Sequence, residues 1–309
     1  DGYTAAVAGD ASKGYTITNT HTPAITEITV TKEWADADNQ DGIRPAAEVF
    51  AGKLHLMNGT TEVKDYTPVV TDNEDGTYTV KYSGMPKYAD GKEITYSVKE
   101  DAIDGYTADK DTAENGGTIT NTHTPETIVI SGSKTWDDAD DQDGARPESI
   151  TIRLHANGTE IASKDVTAAD DWKWSFTELA KYEAGEEITY TITEDAIADY
   201  STTVNGYNVT NKHTPGETSL TVTKVWDDAN NQDGIQPSSV TVTLLADEVK
   251  AGVADAEITL DAEHDWTYTW SGLAEKKDGK AIAYTVEEAA ADGYTAAVAG
   301  DASKGYTIT

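Results

Sequence analysis

The clearest pattern of apolar and polar positions is a strict alternation over residues 28–34, Ile-Thr-Val-Thr-Lys-Glu-Trp. Alternation with period two predicts a β-strand that buries one face. Ile28, Val30 and Trp34 share the apolar face, and Lys32 lies on it as well. A lysine that points into a core is costly unless it pairs with another group or reacts with one.

This pattern returns around Lys134 and Lys224, each followed two residues later by a tryptophan. A second motif recurs with the same spacing, as TITNTHTP at 16–23 and 118–125 and as NVTNKHTP at 208–215. Such self-similarity, at intervals of roughly 90 to 100 residues, is the signature of tandem repeats of one domain. The motifs predict a division of the chain into residues 1–22, 23–123, 124–214 and 215–309.

The first of these segments is predicted to be the C-terminal strands of a preceding repeat. Residues 1–18 recur letter for letter as residues 292–309. Two interpretations of this identity stay open. The chain is either a window on a longer array, or residues 1–22 of one copy complete the third repeat of a neighbouring copy.

Short strand patterns separated by turn signals such as Asn58-Gly59 and Asp90-Gly91 fill each repeat. No stretch shows sustained helical periodicity. About seven strands in a domain of this size predict an all-β fold, a tandem array of antiparallel β-sandwiches. In the first repeat the expected strands are residues 27–34, 48–57, 62–70, 76–83, 92–100, 104–109 and 117–122.

Composition narrows the classes of partner. The 309 residues carry 56 acidic and 23 basic side chains, a formal net charge of −33, and no cysteine. Such an acidic surface repels nucleic acid and anionic membranes. No apolar run approaches the length of a membrane span, so we expect neither nucleic-acid binding nor membrane insertion.

Each repeat has a glutamate at a strand position that faces the same side as the apolar residues before it. Glu100 follows Ile94, Tyr96 and Val98 at two-residue steps. The equivalent acids are Glu194 and Glu288.

The last strand of a repeat carries an asparagine on its apolar face. Asn121 follows Ile119, and Asn211 follows Val209. In the N-terminal segment the equivalent residue is Asn19.

Lysine, glutamate and asparagine in one core suit a particular reaction. A desolvated lysine loses its proton more easily and becomes a nucleophile. A buried glutamic acid stays protonated, polarises the carboxamide and shuttles protons as ammonia leaves. The product is a Lys–Asn isopeptide bond. The alternative is a buried Lys–Glu ion pair with the asparagine as a hydrogen-bond partner.

The motifs VTKxW, YxVxE and ITNTH, in this order and spacing, resemble the Cna B-type domains of Gram-positive surface adhesins and pilins. The resemblance covers essentially the whole chain. It implies a reverse immunoglobulin-like sandwich with an autocatalytic Lys–Asn bond between the first and last strands. The bonds so implied are Lys32 to Asn121, assisted by Glu100, and Lys134 to Asn211, assisted by Glu194.

The third repeat departs from this pattern. Lys224 and Glu288 are present, but the asparagine of its final strand would fall beyond Thr309. Asn19 is expected to bond to the equivalent lysine of a preceding repeat.

Together these features predict a structural stalk of an extracellular, cell-wall-attached surface protein. Its partners would be neighbouring repeats, and neighbouring copies if residues 1–22 act between chains. No cofactor and no multiple-turnover enzyme activity are expected, since the three groups consume themselves. The alternative function is an adhesin module that recognises a host matrix protein or glycan, which requires an exposed aromatic or apolar patch.

Two weaker signals concern metals. The acidic loops that begin at Asp36, Asp138 and Asp228 suggest calcium, but their carboxylate spacing departs from the EF-hand rule and favours a solvated turn. A histidine recurs at each junction, and packing between neighbouring domains is favoured there over metal binding. These histidines are His21, His123 and His213. No metal site is predicted.

Overall fold

The computed structural model of the protein describes residues 2–309, and nearly all of its regular structure is β-strand. Residues 23–123, 124–214 and 215–309 are called repeats one, two and three below, and these boundaries stay predictions. A hairpin of β1 (Thr4–Asp10) and β2 (Gly14–Thr20) precedes them. No helix among the described residues is long and apolar enough to cross a membrane.

Repeat one contains eleven strands and one short helix. In chain order these are β3 (Ile25–Ala35), α1 (Ala47–Ala51), β4 (Leu54–Asn58), β5 (Thr61–Glu62), β6 (Val69–Asp72), β7 (Thr77–Pro86), β8 (Tyr88–Ala89), β9 (Lys92–Glu93), β10 (Tyr96–Glu100), β11 (Thr107–Ala108), β12 (Thr112–Glu114) and β13 (Thr118–Thr122).

Repeats two and three follow the same plan without this helix, and each has a 3₁₀ turn elsewhere, directly before the strand that pairs with its first strand. Repeat two has β14 (Thr127–Asp137), β15 (Ser149–Ala156), β16 (Thr159–Thr167), the 3₁₀ turn Ala168–Asp170, β17 (Lys173–Ala180), β18 (Tyr182–Glu183), β19 (Glu186–Glu187), β20 (Tyr190–Glu194), β21 (Ser201–Asn205) and β22 (Asn208–Lys212). Repeat three has β23 (Glu217–Lys224), β24 (Ser239–Ala246), β25 (Val249–Lys250), β26 (Glu257–Asp261), the 3₁₀ turn Ala262–His264, β27 (Thr267–Ala274), β28 (Lys276–Lys277), β29 (Lys280–Ala281), β30 (Tyr284–Glu288), β31 (Val298–Asp301) and β32 (Gly305–Ile308).

Two sheets enclose the core of each repeat, which confirms the predicted β-sandwich. In repeat one a five-stranded sheet, β11-β13-β3-β7-β6, packs against a four-stranded sheet, β12-β10-β4-β5. In repeat two the sheets are β17-β14-β22-β21 and β16-β15-β20. In repeat three they are β27-β23-β32-β31 and a sheet of β25, β26 and β30 arranged around β24.

Most strand pairs are antiparallel, but the first and last strands of each repeat pair in parallel. These pairs are β3 with β13, β14 with β22, and β23 with β32. Two parallel neighbours enter and leave the domain at opposite ends. Alternation along a strand does not specify its partner or its direction, so the sequence pattern could not predict this pairing.

The expected strand at 48–57 is wrong in its first half. Residues 47–51 form α1 instead, and β4 begins only at Leu54. Pro45 and the alanines that follow it favour a helical turn, and Gly52 ends that turn. Phe50 on this turn is completely buried, so it packs into the core although it does not lie on a strand.

Contacts divide the chain into two compact units. One comprises residues up to Ile130 together with Phe176–Thr189, and the other comprises Ser131–Ser175 with Tyr190–Thr309. Every junction contact described below lies inside one of these units.

The core of repeat one depends on large apolar side chains that both sheets contribute. Leu56 on β4 is 1% exposed, whereas Val49 on the outer side of α1 is 64% exposed. We expect Leu56→Ala to lower the free energy of unfolding of repeat one by about 2–5 kcal/mol, since it removes buried methyl groups and leaves a cavity. Val49→Ala should change it by less than about 0.5 kcal/mol. Urea unfolding of both variants checks this, and equal effects would contradict the assigned core.

Candidate functional site

The parallel strands place the predicted lysine and asparagine of repeat one on adjacent strands, two positions apart in register. Lys32 on β3 lies opposite Ile119 on β13, and Asn121 lies opposite Trp34. Both polar side chains point into the core, where Lys32 and Asn121 are each 1% exposed. Glu100 ends β10 in the other sheet and is buried as well. The two layers of the sandwich thus bring the three groups together.

Glu100 contacts both of the other groups. Its Oε2 lies 3.2 Å from Lys32 Nζ, and its Oε1 accepts a hydrogen bond of 2.6 Å from Asn121 Nδ2. Lys32 Nζ also donates to the Ile119 carbonyl at 3.5 Å. The carboxyl therefore bridges an amine and the nitrogen of a carboxamide inside an apolar core.

Burial shifts both ionisable groups towards their neutral forms. It lowers the pKa of the Lys32 ammonium to about 8, against the opposing pull of the Glu100 carboxylate. Burial likewise raises the pKa of the Glu100 carboxyl above its ordinary value, although the Lys32 ammonium opposes the change. Lys32 Nζ lies 4.6 Å from the ring centre of Trp34. This cation–π contact partly offsets the hydration that the lysine ammonium loses on burial.

Repeat two assembles the same three residue types. Lys134 Nζ lies 2.5 Å from Glu194 Oε1, and both side chains are fully buried. Burial lowers the pKa of Lys134. Asn211 is 0% exposed, and neither atom of its carboxamide has a hydrogen-bond partner among the described residues. An unsatisfied buried amide of this kind is expensive, roughly 1–3 kcal/mol for each group.

In repeat three the structure pairs Lys224 with Glu288 at 3.0 Å. Lys224 lies opposite Ile308 on β32, and an open cavity of about 460 Å³ borders the lysine, Trp226 and Thr309. Asn19 lies elsewhere, on the exposed strand β2. The structure does not bring Asn19 and Lys224 together.

The first two acidic loops are each organised by an arginine that sequence reasoning missed, whereas the third loop has Gln236 at the equivalent position. The buried Asp36 carboxylate accepts bonds from Arg44 Nε at 3.0 Å and Nη2 at 2.6 Å, and from the Tyr106 hydroxyl at 2.7 Å. Asp138 and Arg146 repeat the arrangement. The arginine eight residues after each aspartate was the available signal. No group of three or more potential metal ligands occurs among residues 2–309.

The junction histidines occupy a second recurrent arrangement. His123 Nδ1 faces the Gly105 carbonyl at 2.9 Å, and its Nε2 faces Asp41 Oδ2 at 2.9 Å. Asp41 Oδ2 also accepts from the backbone N–H of Glu126 at 2.8 Å. Because acceptors face both ring nitrogens, the imidazolium form is favoured.

The same contacts recur at the next junction. His213 Nδ1 faces the Asp199 carbonyl at 2.9 Å, and Nε2 faces Asp143 Oδ2 at 3.1 Å. His21 shows half of the arrangement, with Nδ1 facing the Gly2 carbonyl at 2.8 Å.

These contacts raise the pKa values of His123 and His213 above the ordinary value, through Asp41 and the Gly105 carbonyl at the first and through the Asp199 carbonyl and Asp143 at the second. The stabilisation that these contacts give the folded state is therefore complete below the unfolded-state histidine pKa of about 6.5. It is lost as pH rises through the folded-state pKa.

We expect NMR titration to show both histidines titrating above pH 6.5. Asp41→Asn should lower the His123 value and leave His213 unchanged, and an unchanged His123 would contradict the assigned contact.

Comparisons with known proteins agree with this architecture. A family model, Cna protein B-type domain, matches residues 28–122, 130–212 and 220–309. The collagen adhesin of Staphylococcus aureus is 45% identical over 286 residues, which make up 91% of this chain and 23% of that protein.

Two solved structures from the same organism are also similar. The structure of two B repeat units of the collagen-binding protein is 40% identical with a TM-score of 0.51, and the match covers 99% of this chain and 79% of that one. The single B repeat unit is 46% identical with a TM-score of 0.29, covering 59% and 98%. The chain belongs to the Cna protein B-type domain family.

Proposed function

We propose that these repeats form a structural stalk of a Gram-positive surface adhesin or pilus-like protein, and that repeats one and two each lock their first strand to their last with a Lys–Asn isopeptide bond. The bonds join Lys32 to Asn121 and Lys134 to Asn211. Glu100 and Glu194 assist them.

One observation carries the proposal, namely the burial of an amine, a carboxyl and a carboxamide together in each of two sandwiches. Left unreacted, the set is costly, because Asn121 Oδ1 and both amide atoms of Asn211 have no hydrogen-bond partner in the described chain. Bond formation replaces a buried ammonium and a primary amide with one neutral secondary amide. The reaction therefore removes the expense that burial creates.

The chemistry balances within the three groups. The neutral Nζ of Lys32 attacks the carboxamide carbon of Asn121, a C–N bond forms, and the bond from that carbon to Nδ2 breaks. Nζ gives up one proton and Nδ2 takes one, so ammonia leaves. Glu100 is placed to transfer this proton, since its two oxygens lie 3.2 Å from Nζ and 2.6 Å from Nδ2. Each set reacts once, which is not enzyme turnover.

Tension along an array enters a repeat at its first strand and leaves at its last. These strands are neighbours, and the proposed bond joins them directly. Load would therefore bypass the rest of the sandwich. The bond closes a loop of about 80–90 residues, and by analogy with disulfide loops it stabilises each repeat by about 4–5 kcal/mol.

The similarity to the collagen adhesin supports a place at the cell surface, where stalks hold a binding region away from the wall. Collagen binding is a property named for that protein, of which this chain matches 23%. For Asn19 we propose a bond to the lysine equivalent to Lys224 in a preceding repeat.

Mass spectrometry tests the bond directly. We expect the intact chain to weigh less than its sequence mass by two ammonia molecules, one for each of repeats one and two. Glu100→Gln should restore one ammonia, because it removes the proton carrier. Glu93→Gln makes the same chemical change at an exposed site and should keep the full deficit. A wild-type mass equal to the sequence mass would contradict the proposal.

Thermal unfolding separates the bond from a simple ion pair. In the double variant Lys32→Met with Glu100→Gln, no charge remains buried at this site. If the site held only an ion pair, replacing it would leave stability equal or higher. If the bond exists, its loss should lower the melting temperature of repeat one by at least about 10 °C. Calorimetry should show this shift in the repeat-one transition, with the repeat-two transition unchanged as the internal control.

A further inference from the structure

The acid of repeat two divides its two carboxyl oxygens differently from the acid of repeat one. Glu194 Oε1 lies 2.5 Å from Lys134 Nζ, and Oε2 accepts a hydrogen bond of 3.0 Å from the Thr202 hydroxyl. Neither polar atom of the buried Asn211 carboxamide has a hydrogen-bond partner among the described residues. The acid is therefore bonded to the amine and to a hydroxyl, but not to the carboxamide.

In repeat one the second carboxyl oxygen serves the carboxamide instead. Glu100 Oε1 accepts the hydrogen bond of 2.6 Å from Asn121 Nδ2, and no hydroxyl of residues 2–309 donates to Glu100. The register of the last strand explains the difference. Thr202 pairs with Asn211 across β21 and β22, whereas the residue that pairs with Asn121 across β11 and β13 is Ala108, which has no hydroxyl.

The Thr202 hydroxyl opposes the reaction of repeat two in two ways. It holds the second oxygen of Glu194 in an orientation that is not bonded to the leaving nitrogen of Asn211, so the proton path seen in repeat one is incomplete. A donated hydrogen bond also stabilises an ionised carboxylate, whereas the leaving nitrogen takes its proton from the carboxylic acid. The acid of repeat one is free of both effects.

We propose that Thr202 is a positioning residue that delays the isopeptide bond of repeat two, so that the two repeats close in a fixed order. The bond between Lys32 and Asn121 forms first, and the bond between Lys134 and Asn211 follows. This inference rests on the function proposed above, but it concerns the rates of the two bonds rather than their existence.

The hydroxyl slows the second bond without blocking it. Thr202 lies on the exposed strand β21, so water competes with its hydroxyl for the carboxyl oxygen. Once the hydroxyl releases that oxygen, Glu194 takes a proton from the Lys134 ammonium, and the neutral Nζ attacks the carboxamide carbon of Asn211. A C–N bond forms and the bond from that carbon to Nδ2 breaks. Glu194 gives its proton to Nδ2 and takes the second proton of Nζ in return, so ammonia leaves.

The kinetics of cross-linking in the full chain test this order. The chain is made by cell-free translation, synthesis is stopped with an inhibitor, and samples are quenched in acid at intervals. Digestion and mass spectrometry then quantify the cross-linked peptides of both repeats, which share one time zero. We expect the Lys32–Asn121 peptide to accumulate about tenfold faster than the Lys134–Asn211 peptide, because a hydrogen bond to a charged group is worth at least that factor.

Variants of Thr202 separate the effect of the hydroxyl from that of the side-chain shape. Thr202→Val keeps the shape, removes the donor and should raise the rate of repeat two about tenfold. Thr202→Ser keeps the donor and should react at the wild-type rate. Thr203→Val makes the same chemical change at the next residue of β21, whose side chain faces the opposite way, and should leave the rate unchanged.

Repeat one allows the reverse experiment. Ala108→Thr introduces a hydroxyl at the register position of Thr202 and should slow the first bond about tenfold, whereas Ala108→Val should not. Equal rates in the two repeats of wild type, or a Thr202→Val chain that reacts no faster than Thr202→Ser, overturn the role of Thr202 and leave the proposed bonds intact. Absence of both cross-linked peptides at all times overturns the proposed function, and this inference with it.

Discussion

The cost of burying a lysine ammonium governs the design of these repeats. Lys32 could not stay in a core of tryptophan, phenylalanine and isoleucine unless other groups offset its desolvation. The Trp34 ring and the Glu100 carboxyl supply part of that compensation, and burial draws both ionisable groups towards neutrality. The observed arrangement, in which one carboxyl group contacts both the amine and the carboxamide, meets this constraint.

The sandwich architecture provides the required geometry at little expense. Lysine and asparagine come from adjacent strands of one sheet, and the glutamate comes from the sheet opposite. Each group needs only the correct parity on its own strand. The same arrangement therefore recurs in repeat two, although the loops between the strands differ in length and in helical content.

The sequence predicted one part of the site, namely which side chains of each strand face the core. The alternation around Lys32, Glu100 and Asn121 predicted which side chains face inward, and all three are buried. The Asp90-Gly91 turn also lies where its residues predict, with positive φ at both positions.

Contacts between distant segments could not be predicted in the same way. The parallel pairing of β3 with β13, and the Asp41–His123 contact across 82 residues, depend on how strands associate rather than on local alternation. The helix at Phe50 was missed because its single turn is too short to show helical periodicity.

The parallel pairing of first and last strands has a mechanical consequence of its own. When the two ends of a repeat are pulled apart, β3 and β13 slide past each other along their common axis. The hydrogen bonds between them then carry the load in shear, all at once, instead of opening one after another as in a peeled hairpin. Each repeat would resist extension without any covalent bond, and the bonds proposed for repeats one and two would strengthen them along the same axis.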